Sequence, residues 1–344
     1  MPDSRGASWF SINSCRANTG KILLAVCLLV FAGALGAPAT HAREVRLIPQ
    51  WVPQAQFAGY YMGLEKGFYK KRDIDLTIIA GGPLKQSSEY LASGKAEFAT
   101  LWLASGIQMR DHAVPVVNIA QMVRRSALML VAKKSTGIRT PQDLNGKKVG
   151  LWEPVFQIQP TAFIEKYGLD VTIVRQSYSV NLFLRGGVDV ASAMWYNEYH
   201  TILNAGLDPD DLVTFFFHEH GLNFPEDGIY VLEDTFNQDP EMCQAFVAAS
   251  IEGWRYAFAH PEETIDLVMK NLKAEHIPAT RVHQKWMLER MQDLMYPAGE
   301  VFTPGELKYE DYARVAYALQ DFGLINSVPD YNTFYRKCYD DTQK

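Results

Sequence analysis

Short runs of apolar and β-branched residues alternate with helical periodicity through most of the chain after residue 42. In the first block, strand-like runs cover residues 45–48, 74–79, 98–101 and 114–120. In the second block, they cover residues 128–132, 148–152, 171–174, 188–194 and 213–217, and a further run covers 228–232. This alternation predicts an α/β protein with parallel strands and helices on both sheet faces.

Apolar positions between and after these runs recur every three or four residues, which is typical of helices. After the first run, one such stripe contains Phe57, Tyr60, Tyr61, Leu64 and Phe68. Further helices are predicted over residues 84–93, 159–167 and 196–204. From Asp239 onward nearly everything reads as helix, beginning with proline at a first helical position. We expect most of these stripes to be core.

Two polar or Pro/Gly-containing crossings, residues 121–125 and 218–226, flank the second block. They favour its insertion into the first block through two hinge segments. The predicted domains are residues 43–122 plus 225–344 for lobe 1, with the carboxyl-terminal helices, and 123–224 for lobe 2. Two sequential domains are the alternative that the pattern leaves open.

The first 42 residues differ from the rest. Three bases, Arg5, Arg16 and Lys21, precede an uncharged run over residues 22–35, and small residues follow. This predicts a signal peptide, residues 1–42, cleaved after Ala39 or Ala42, because the run is shorter than the roughly 20 apolar residues of a membrane span. In an oxidising compartment Cys243 and Cys338 form either one disulfide or two buried thiols.

Composition narrows the chemistry. A net charge of −6 does not suggest a nucleic-acid surface. Nucleophile-elbow, Walker, dinucleotide and zinc-protease motifs do not occur in the mature sequence. His218, Glu219 and His220 leave one alternative, an exported metal-assisted hydrolase, but no further ligand is evident. We therefore predict a protein that is not an enzyme and needs no cofactor or metal.

Aromatic and polar residues cluster where predicted strands end, and ligands of open α/β sheets bind at such ends. The candidate ligand-binding residues are Trp51, Gln54, Phe57, Tyr60, Gly81, Gly82, Trp102, Trp152, Trp195, Tyr196, Asn197 and Glu198. Rings such as Trp51, Tyr60, Trp102 and Trp195 would enclose a flat solute. Gln54, Asn197 and Glu198 would bind its edge, and helix N–H groups after Gly81 would take an acidic substituent.

Each of these positions also has a purely structural interpretation. The four tryptophans, Trp51, Trp102, Trp152 and Trp195, could be core residues. Glu198 could begin a solvent-facing helix, and Gly81-Gly82 could be only a turn. The pattern alone does not decide between these alternatives.

Several segments resemble the solute-binding proteins of ABC importers, in particular the thiamine-pyrimidine-synthesis branch with its nitrate, sulfonate and riboflavin relatives. The segments that carry the resemblance are Trp51-Val52-Pro53-Gln54, Phe57-Ala58-Gly59-Tyr60-Tyr61, Glu65-Lys66-Gly67-Phe68-Tyr69, Ile74-Asp75-Leu76, Ser93-Gly94-Lys95-Ala96-Glu97-Phe98, Asp143-Leu144-Asn145-Gly146-Lys147-Lys148-Val149-Gly150, Gly253-Trp254-Arg255-Tyr256 and His260-Pro261-Glu262. They extend over nearly all of the mature chain.

The resemblance implies the type II periplasmic-binding-protein fold, with a ligand captured between closing lobes. It implies a periplasmic monomer that delivers a small molecule, such as a thiamine pyrimidine precursor, to an ABC permease. In that branch the opening motif and an acidic aromatic segment hold an aminopyrimidine, and Trp51 and the 195–198 segment match them. Gln54 and Phe57 depart from the usual asparagine and histidine, which leaves flavin, sulfonate or nitrate ligands open. A sensory role is a further alternative.

The pyrimidine synthases of the same family consume their own histidine and require a cysteine-rich segment. This chain has no such segment. The resemblance therefore implies binding rather than synthesis.

Overall fold

The computed structural model describes residues 42–152, 156–299 and 303–339, and residue 8 alone in the stretch before them. The predicted signal peptide lies outside the described residues, as does Glu153-Pro154 after Trp152. Ala42–Lys344 form one compact unit. Among the described residues, no helix is both long and apolar enough to cross a membrane.

In the described ranges, ten strands form two five-stranded sheets. The strands are β1 Arg43–Ile48, β2 Ile74–Ile78, β3 Phe98–Trp102, β4 Val116–Gln121, β5 Leu128–Lys133, β6 Lys148–Leu151, β7 Thr172–Arg175, β8 Val190–Met194, β9 Leu212–Phe216 and β10 Asp227–Leu232. The first sheet has the order β2-β1-β3-β10-β4, and the second has the order β7-β6-β8-β5-β9. Each sheet is the centre of one lobe.

The sheets are mixed rather than parallel, which corrects the sequence-based expectation. Strands β1, β2 and β3 are parallel, but β10 runs antiparallel to both β3 and β4. In the second sheet β5 has the same position and direction relative to β8 and β9. The two antiparallel strands, β5 and β10, each directly follow a crossing between the lobes. The chain therefore enters each of these strands from the hinge side of its sheet, which sets their direction.

Within the part of the chain that the structure describes, twelve helices cover these sheets. They are α1 Ala58–Glu65, α2 Ser87–Ala92, α3 Leu103–Asp111, α4 Ile158–Lys166, α5 Asn181–Leu184, α6 Glu198–Asn204, α7 Glu233–Gln238, α8 Pro240–Ala259, α9 Pro261–Ala274, α10 Arg281–Met295, α11 Tyr309–Asp321 and α12 Tyr331–Phe334. Short 3₁₀ turns supplement them. The predicted helical tail is confirmed, and Asp239 caps α8 by accepting from the Met242 N–H at 2.8 Å.

Helix α1 approaches α8 closely because two glycines face each other. A methyl group added to Gly253 would lie 2.2 Å from the carbonyl oxygen of Gly59. Tyr60 of α1 packs edge-on against Trp254 of α8, with ring centroids 5.9 Å apart. The 3₁₀ turn Ala55–Phe57 directly precedes α1, and its Ala55 N–H donates to Gln284 Oε1 at 2.8 Å.

Two chain segments, residues 122–127 and 217–226, connect the sheets. They are bonded to each other: Glu226 N–H donates to Val123 O at 3.1 Å. The Gln121 amide donates to both Val123 O and Glu226 O, at 3.0 Å each. The observed sheets are consistent with an inserted second lobe, and the exact boundaries at 122/123 and 224/225 stay a prediction.

The two cysteines are free buried thiols in this structure. Burial raises the pKa of Cys243 to about 12, and the nearby Cys338 contributes to the shift. Of the two sequence-based alternatives, the structure thus has the thiol form.

Candidate functional site

A cavity of about 340 Å³ lies between the lobes, at the ends of strands from both sheets. Ligand cavities are commonly about 300–1,000 Å³, so this one is at the small end. Eight of the twelve predicted binding residues line it: Trp51, Gln54, Gly82, Trp102, Trp152, Tyr196, Asn197 and Glu198. The structure therefore brings together residues that are up to 147 positions apart in the chain.

Phe57 and Tyr60 are not among the lining residues, which corrects their candidacy. Both side chains are almost completely buried in the lobe 1 core. Their position on the apolar stripe explains this, because that stripe faces α8, where Tyr60 meets Trp254. Phe57 and Tyr60 are therefore core residues and do not line the cavity.

Trp195 is also outside the cavity, although both its neighbours, Met194 and Tyr196, line it. Successive residues at the end of a strand point to opposite faces, so the tryptophan turns away. It packs against Phe216, with centroids 5.6 Å apart, and the Arg290 guanidinium lies 4.9 Å above its ring.

The Gly81-Gly82 segment is a turn, with Lys85 N–H bonded to Gly82 O at 3.0 Å. Gly82 lines the cavity with φ 147°, whereas Gly81 lies behind it, where a methyl group would be 2.0 Å from Pro49 O. Helix α2 begins only at Ser87 and has six residues. The helix therefore does not start directly after these glycines, but its first residues, Ser87 and Ser88, do line the cavity. Binding of an acidic substituent by N–H groups after Gly81 stays a prediction.

Aromatic rings from both lobes meet across the cavity. Trp51 of lobe 1 contacts Tyr178 of lobe 2 edge-on, with centroids 4.9 Å apart. Deeper inside, Phe156 contacts Trp102 at 4.9 Å and Trp152 at 6.0 Å, in both cases nearly perpendicular. A flat ligand between these pairs would be enclosed by apolar ring surface.

Glu198 supplies the one carboxyl group among the described lining residues. It is 7% exposed, and its two oxygens accept hydrogen bonds from Met194 N–H at 3.0 Å and the Asn197 amide at 2.8 Å. Burial raises its pKa from 4.5 to about 7, and these hydrogen bonds only partly oppose the shift. A ligand N–H donor would satisfy the remaining acceptor capacity of this group.

Asn197 is held from the opposite side by α10. Its amide nitrogen donates to Glu198, so its oxygen accepts from His283 Nε2 at 2.9 Å. His283 Nδ1 lies 2.9 Å from His200 Nδ1. Burial, and then His200, lower the pKa of His283 to about 4, so the imidazole is neutral near pH 7 with its proton on Nε2. No motif or periodicity in the sequence pointed to this histidine.

The lobe 1 wall of the cavity is rich in amides. Gln50, Gln54 and Gln56 follow β1 within seven residues, and all three line the cavity. Behind them lies the buried carboxyl of Asp227, which accepts from the amides of Gln50 and Gln56. Burial raises the pKa of Asp227, while the hydrogen bonds from Gln56 and Gln50 oppose the rise.

Glu226 is a second buried carboxyl, next in sequence to Asp227. It accepts from Ala127 N–H at 2.6 Å and from the Ser126 hydroxyl at 3.0 Å, at the start of lobe 2. Burial, followed by repulsion from Asp227, raises its pKa. Two consecutive acids before an apolar strand were a visible signal that sequence reasoning missed.

The described lining residues include no lysine, arginine or histidine. The described lining thus has one carboxyl group and several amide oxygens, with no basic side chain to balance the carboxyl. Such a site favours a neutral or cationic solute that carries hydrogen-bond donors, because a buried acceptor left unpaired costs about 1–3 kcal/mol.

His218 and His220 do not form a metal site. They lie in a 3₁₀ turn after β9, at the start of the predicted crossing. His218 Nδ1 is 3.1 Å from Ser126 O, whereas His220 Nδ1 is 2.6 Å from the Tyr167 hydroxyl. Within residues 42–152, 156–299 and 303–339, no three His, Cys, Asp or Glu side chains are grouped to hold a metal ion.

Comparison with known proteins agrees with this architecture. The sequence model of the NMT1/THI5-like family matches residues 54–264, which is more than half of the chain. The chain belongs to the NMT1/THI5-like family. This confirms the resemblance to the thiamine-pyrimidine-synthesis branch.

Three relatives illustrate the range of the family. The riboflavin-binding protein RibY of Chloroflexus aurantiacus is 24% identical over 87% of this chain and 88% of its own length. A formylaminopyrimidine-binding protein of Halalkalibacterium halodurans is 21% identical over 81% and 87%. A 4-amino-5-hydroxymethyl-2-methylpyrimidine phosphate synthase of Legionella pneumophila is 24% identical over 65% and 72%.

Among solved structures, the periplasmic aliphatic sulphonate-binding protein SsuA of Escherichia coli is similar in fold. Its TM-score is 0.69 at 15% identity, over 86% of this chain and 92% of SsuA. The predicted periplasmic-binding-protein fold with two lobes is thereby confirmed.

Proposed function

We propose that this chain is the periplasmic ligand-binding component of an ABC importer, and that it captures a small flat heterocycle between its lobes. The observation that carries the proposal is the combination of ring contacts and acceptors in one cavity. Trp51 and Tyr178 meet from opposite lobes, with ring centroids 4.9 Å apart, and line the same cavity as the buried carboxyl of Glu198. A ring with an amino group at its edge complements both features.

A thiamine pyrimidine precursor is the ligand that these features favour. Its exocyclic amino group would donate to Glu198, and its ring would lie under Trp51 and Tyr178. The small cavity supports a single pyrimidine ring over the three-ring system of riboflavin, the alternative suggested by the name of one relative. The formylaminopyrimidine named for another relative belongs to the favoured class.

Sulfonate or nitrate is the less favoured alternative. An anion in this cavity would face the carboxyl of Glu198, with no basic side chain among the described lining residues to balance it. The ionised form of Glu198, which makes up about half of the molecules near pH 7, would repel such an anion. The cavity therefore favours ligands that carry hydrogen-bond donors over anionic ligands.

The importer assignment includes export through the amino-terminal signal peptide, action as a monomer, and docking on an ABC permease in the membrane. Binding needs no cofactor, and the ligand leaves chemically unchanged. The remaining alternative is that the ligand-bound protein docks on a sensory receptor instead of a permease. Recovery of unmodified ligand by mass spectrometry after long incubation would separate binding from the synthase activity named for some relatives.

A titration series tests the proposal. Protein unfolded, washed and refolded to remove carried-over ligand is titrated calorimetrically with 4-amino-5-hydroxymethyl-2-methylpyrimidine, formylaminopyrimidine, riboflavin and the sulfonate MOPS. We expect micromolar or tighter binding of the aminopyrimidines, which corresponds to about −8 kcal/mol, and no binding of MOPS. Binding of MOPS without binding of either pyrimidine would contradict the proposal.

A matched pair of variants locates the binding site. Tyr178→Ala removes a half-exposed ring from the cavity mouth, and we expect it to weaken aminopyrimidine binding by about 2- to 10-fold. Tyr309→Ala removes an exposed ring of α11 that does not line the cavity and should leave the affinity unchanged. Equal effects of the two substitutions would place the ligand elsewhere.

A further inference from the structure

Asp227 is the first residue of β10, directly after the second crossing between the lobes. Its side chain is only 3% exposed, and its neighbour across the sheet is Trp102 of the cavity wall. Its backbone carbonyl accepts from Met122 and Val123 N–H groups at 3.1 and 2.9 Å. The residue is thus fixed at the junction of the hinge and the cavity.

The carboxylate of Asp227 organises three glutamine side chains of the lobe 1 wall. One oxygen accepts from the Gln50 amide, and the other accepts from Gln56 Nε2 at 2.8 Å. Gln56 Oε1 in turn accepts from Gln54 Nε2 at 2.6 Å. Every bond in this chain runs in the same direction, with an amide nitrogen pointing toward the carboxylate.

The direction follows from the chemistry of the groups. A primary amide has a donor end and an acceptor end, and in this structure both carboxyl oxygens of Asp227 accept. Asp227 therefore turns the nitrogen of Gln50 and of Gln56 toward itself. Because the oxygen of Gln56 then faces Gln54, the nitrogen of that third glutamine is fixed as well.

Two acceptor atoms remain on the cavity side. Gln50 Oε1 and Gln54 Oε1 accept no hydrogen bond from any residue within the described ranges. Neither oxygen is fully buried, so both remain accessible to a bound ligand. Together with Glu198 of lobe 2, they give acceptors on both walls of the cleft.

We propose that Asp227 is a specificity-determining positioning residue, which acts through Gln50, Gln56 and Gln54 to present amide oxygens to the cavity. It thereby selects ligands by the hydrogen-bond donors on their edge, without touching them. This inference rests on the proposed ligand-binding function and extends it to the polarity of the lobe 1 wall.

The substitution Asp227→Asn tests the inference. Asparagine keeps the shape but has one acceptor and one NH₂ group, so one glutamine must turn its own nitrogen toward the cavity. The probes are 4-amino-5-hydroxymethyl-2-methylpyrimidine and its 4-oxo analogue. The amino group has two N–H donors, one for Glu198 and one for a glutamine oxygen of the opposite wall, whereas the oxo group has none. We expect the wild type to prefer the amino ring by about 10- to 100-fold, and the variant to lose at least about 10-fold of this ratio.

Glu226→Gln is the matched control. The two carboxyls are adjacent and equally buried, but Glu226 accepts from Ala127 and Ser126 and not from the glutamines. It should leave the amino-to-oxo ratio unchanged, in protein whose melting curve shows that it is folded. Equal changes in both variants would mean that only the loss of charge matters, and would overturn the inference.

A measurement without ligand separates this inference from the proposed function. In two-dimensional ¹H–¹⁵N spectra, the side-chain NH₂ signals of Gln50 and Gln56, assigned by substitution, should shift and exchange faster in Asp227→Asn. If neither ring binds the wild type, the proposed ligand is wrong, but these signals still decide the orientation. Unchanged signals in the variant would overturn the role of Asp227.

A milder variant covers the case in which Asp227→Asn does not fold. Gln50 is only half-buried, and Gln50→Met removes one of the two presented oxygens while the carboxylate stays in place. We expect the amino-to-oxo ratio to fall about 10-fold. A ratio equal to that of the wild type would overturn the inference.

Discussion

Replacing Glu198 by glutamine measures the free-energy cost of a carboxylate inside the cleft. The two side chains have nearly the same shape, and the amide oxygen can still accept from Asn197, as Glu198 does at 2.8 Å. What the substitution removes is the charge. Since burial raises the pKa of this carboxyl from 4.5 to about 7, the folded protein without ligand resists ionisation.

The sign follows from proton binding. Between pH 4.5 and about 7 the folded protein holds the proton of Glu198, whereas the unfolded chain has lost it. The unfolded state then binds fewer protons, so the free energy of unfolding falls as the pH rises through this window. The stabilising contribution is fully present below pH 4.5 and is lost above about pH 7.

The magnitude follows from the size of the shift. One pKa unit corresponds to about 1.4 kcal/mol, so the wild type should lose roughly 2 to 3 kcal/mol between pH 5 and pH 8 through this group. The Glu198→Gln variant has no carboxyl group at this position, so its free energy of unfolding lacks this pH-dependent contribution. The difference in unfolding free energy, variant minus wild type, should therefore rise by roughly 2 to 3 kcal/mol over the same interval.

The assay is urea unfolding of both proteins at pH 5 and pH 8, each free of ligand. Taking the difference between the two pH values removes any constant cost of the amide, such as imperfect pairing with Met194 N–H. Glu89→Gln on the exposed side of α2 is the control, and it should give no such rise. A difference that stays constant, or that favours the wild type at pH 8, would refute the argument that burial keeps this carboxyl protonated.

Three further outcomes follow from the cavity. Calorimetry at pH 7 in buffers of different ionisation enthalpy should show release of up to about half a proton from Glu198 when the aminopyrimidine binds, because a ligand donor stabilises the carboxylate; net uptake would contradict this. Trp51→Ala should weaken aminopyrimidine binding by about 2- to 10-fold, whereas Trp195→Phe should not change the affinity. A larger loss of affinity in Trp195→Phe than in Trp51→Ala would mean that Trp195 does contact the ligand. His283→Leu should weaken aminopyrimidine binding by about 10-fold, whereas His283→Gln, which keeps an N–H toward Asn197, should bind nearly as well as the wild type. Equal losses of affinity in the two variants would mean that His283 contributes only through packing.

Hydrophobic periodicity was sufficient to predict the strands and most helices, because alternation and helical stripes report directly on which side of an element is buried. It did not predict the direction of β5 and β10, since strand pairing depends on how the crossings enter each sheet. It also missed α3, Leu103–Asp111, where small and polar residues give almost no apolar stripe.

Local sequence was a good guide to the site where the residue lies at the end of a strand or within three residues after it, as for Trp51, Trp102 and Trp152. It was wrong at Trp195, where the alternation of side chains turns the ring to the opposite face. Residues that reach the cavity through tertiary contacts, such as Tyr178, had no local pattern to reveal them. Recognising them required the closed arrangement of the two lobes.

The most direct test of the account is a crystal structure of the protein grown with 4-amino-5-hydroxymethyl-2-methylpyrimidine. The account predicts the ring inside the cavity, beneath Trp51 and Tyr178, with its amino nitrogen within hydrogen-bond distance of Glu198. A ring bound outside this cavity, or bound inside it with the amino group away from Glu198, Gln50 and Gln54, would contradict it.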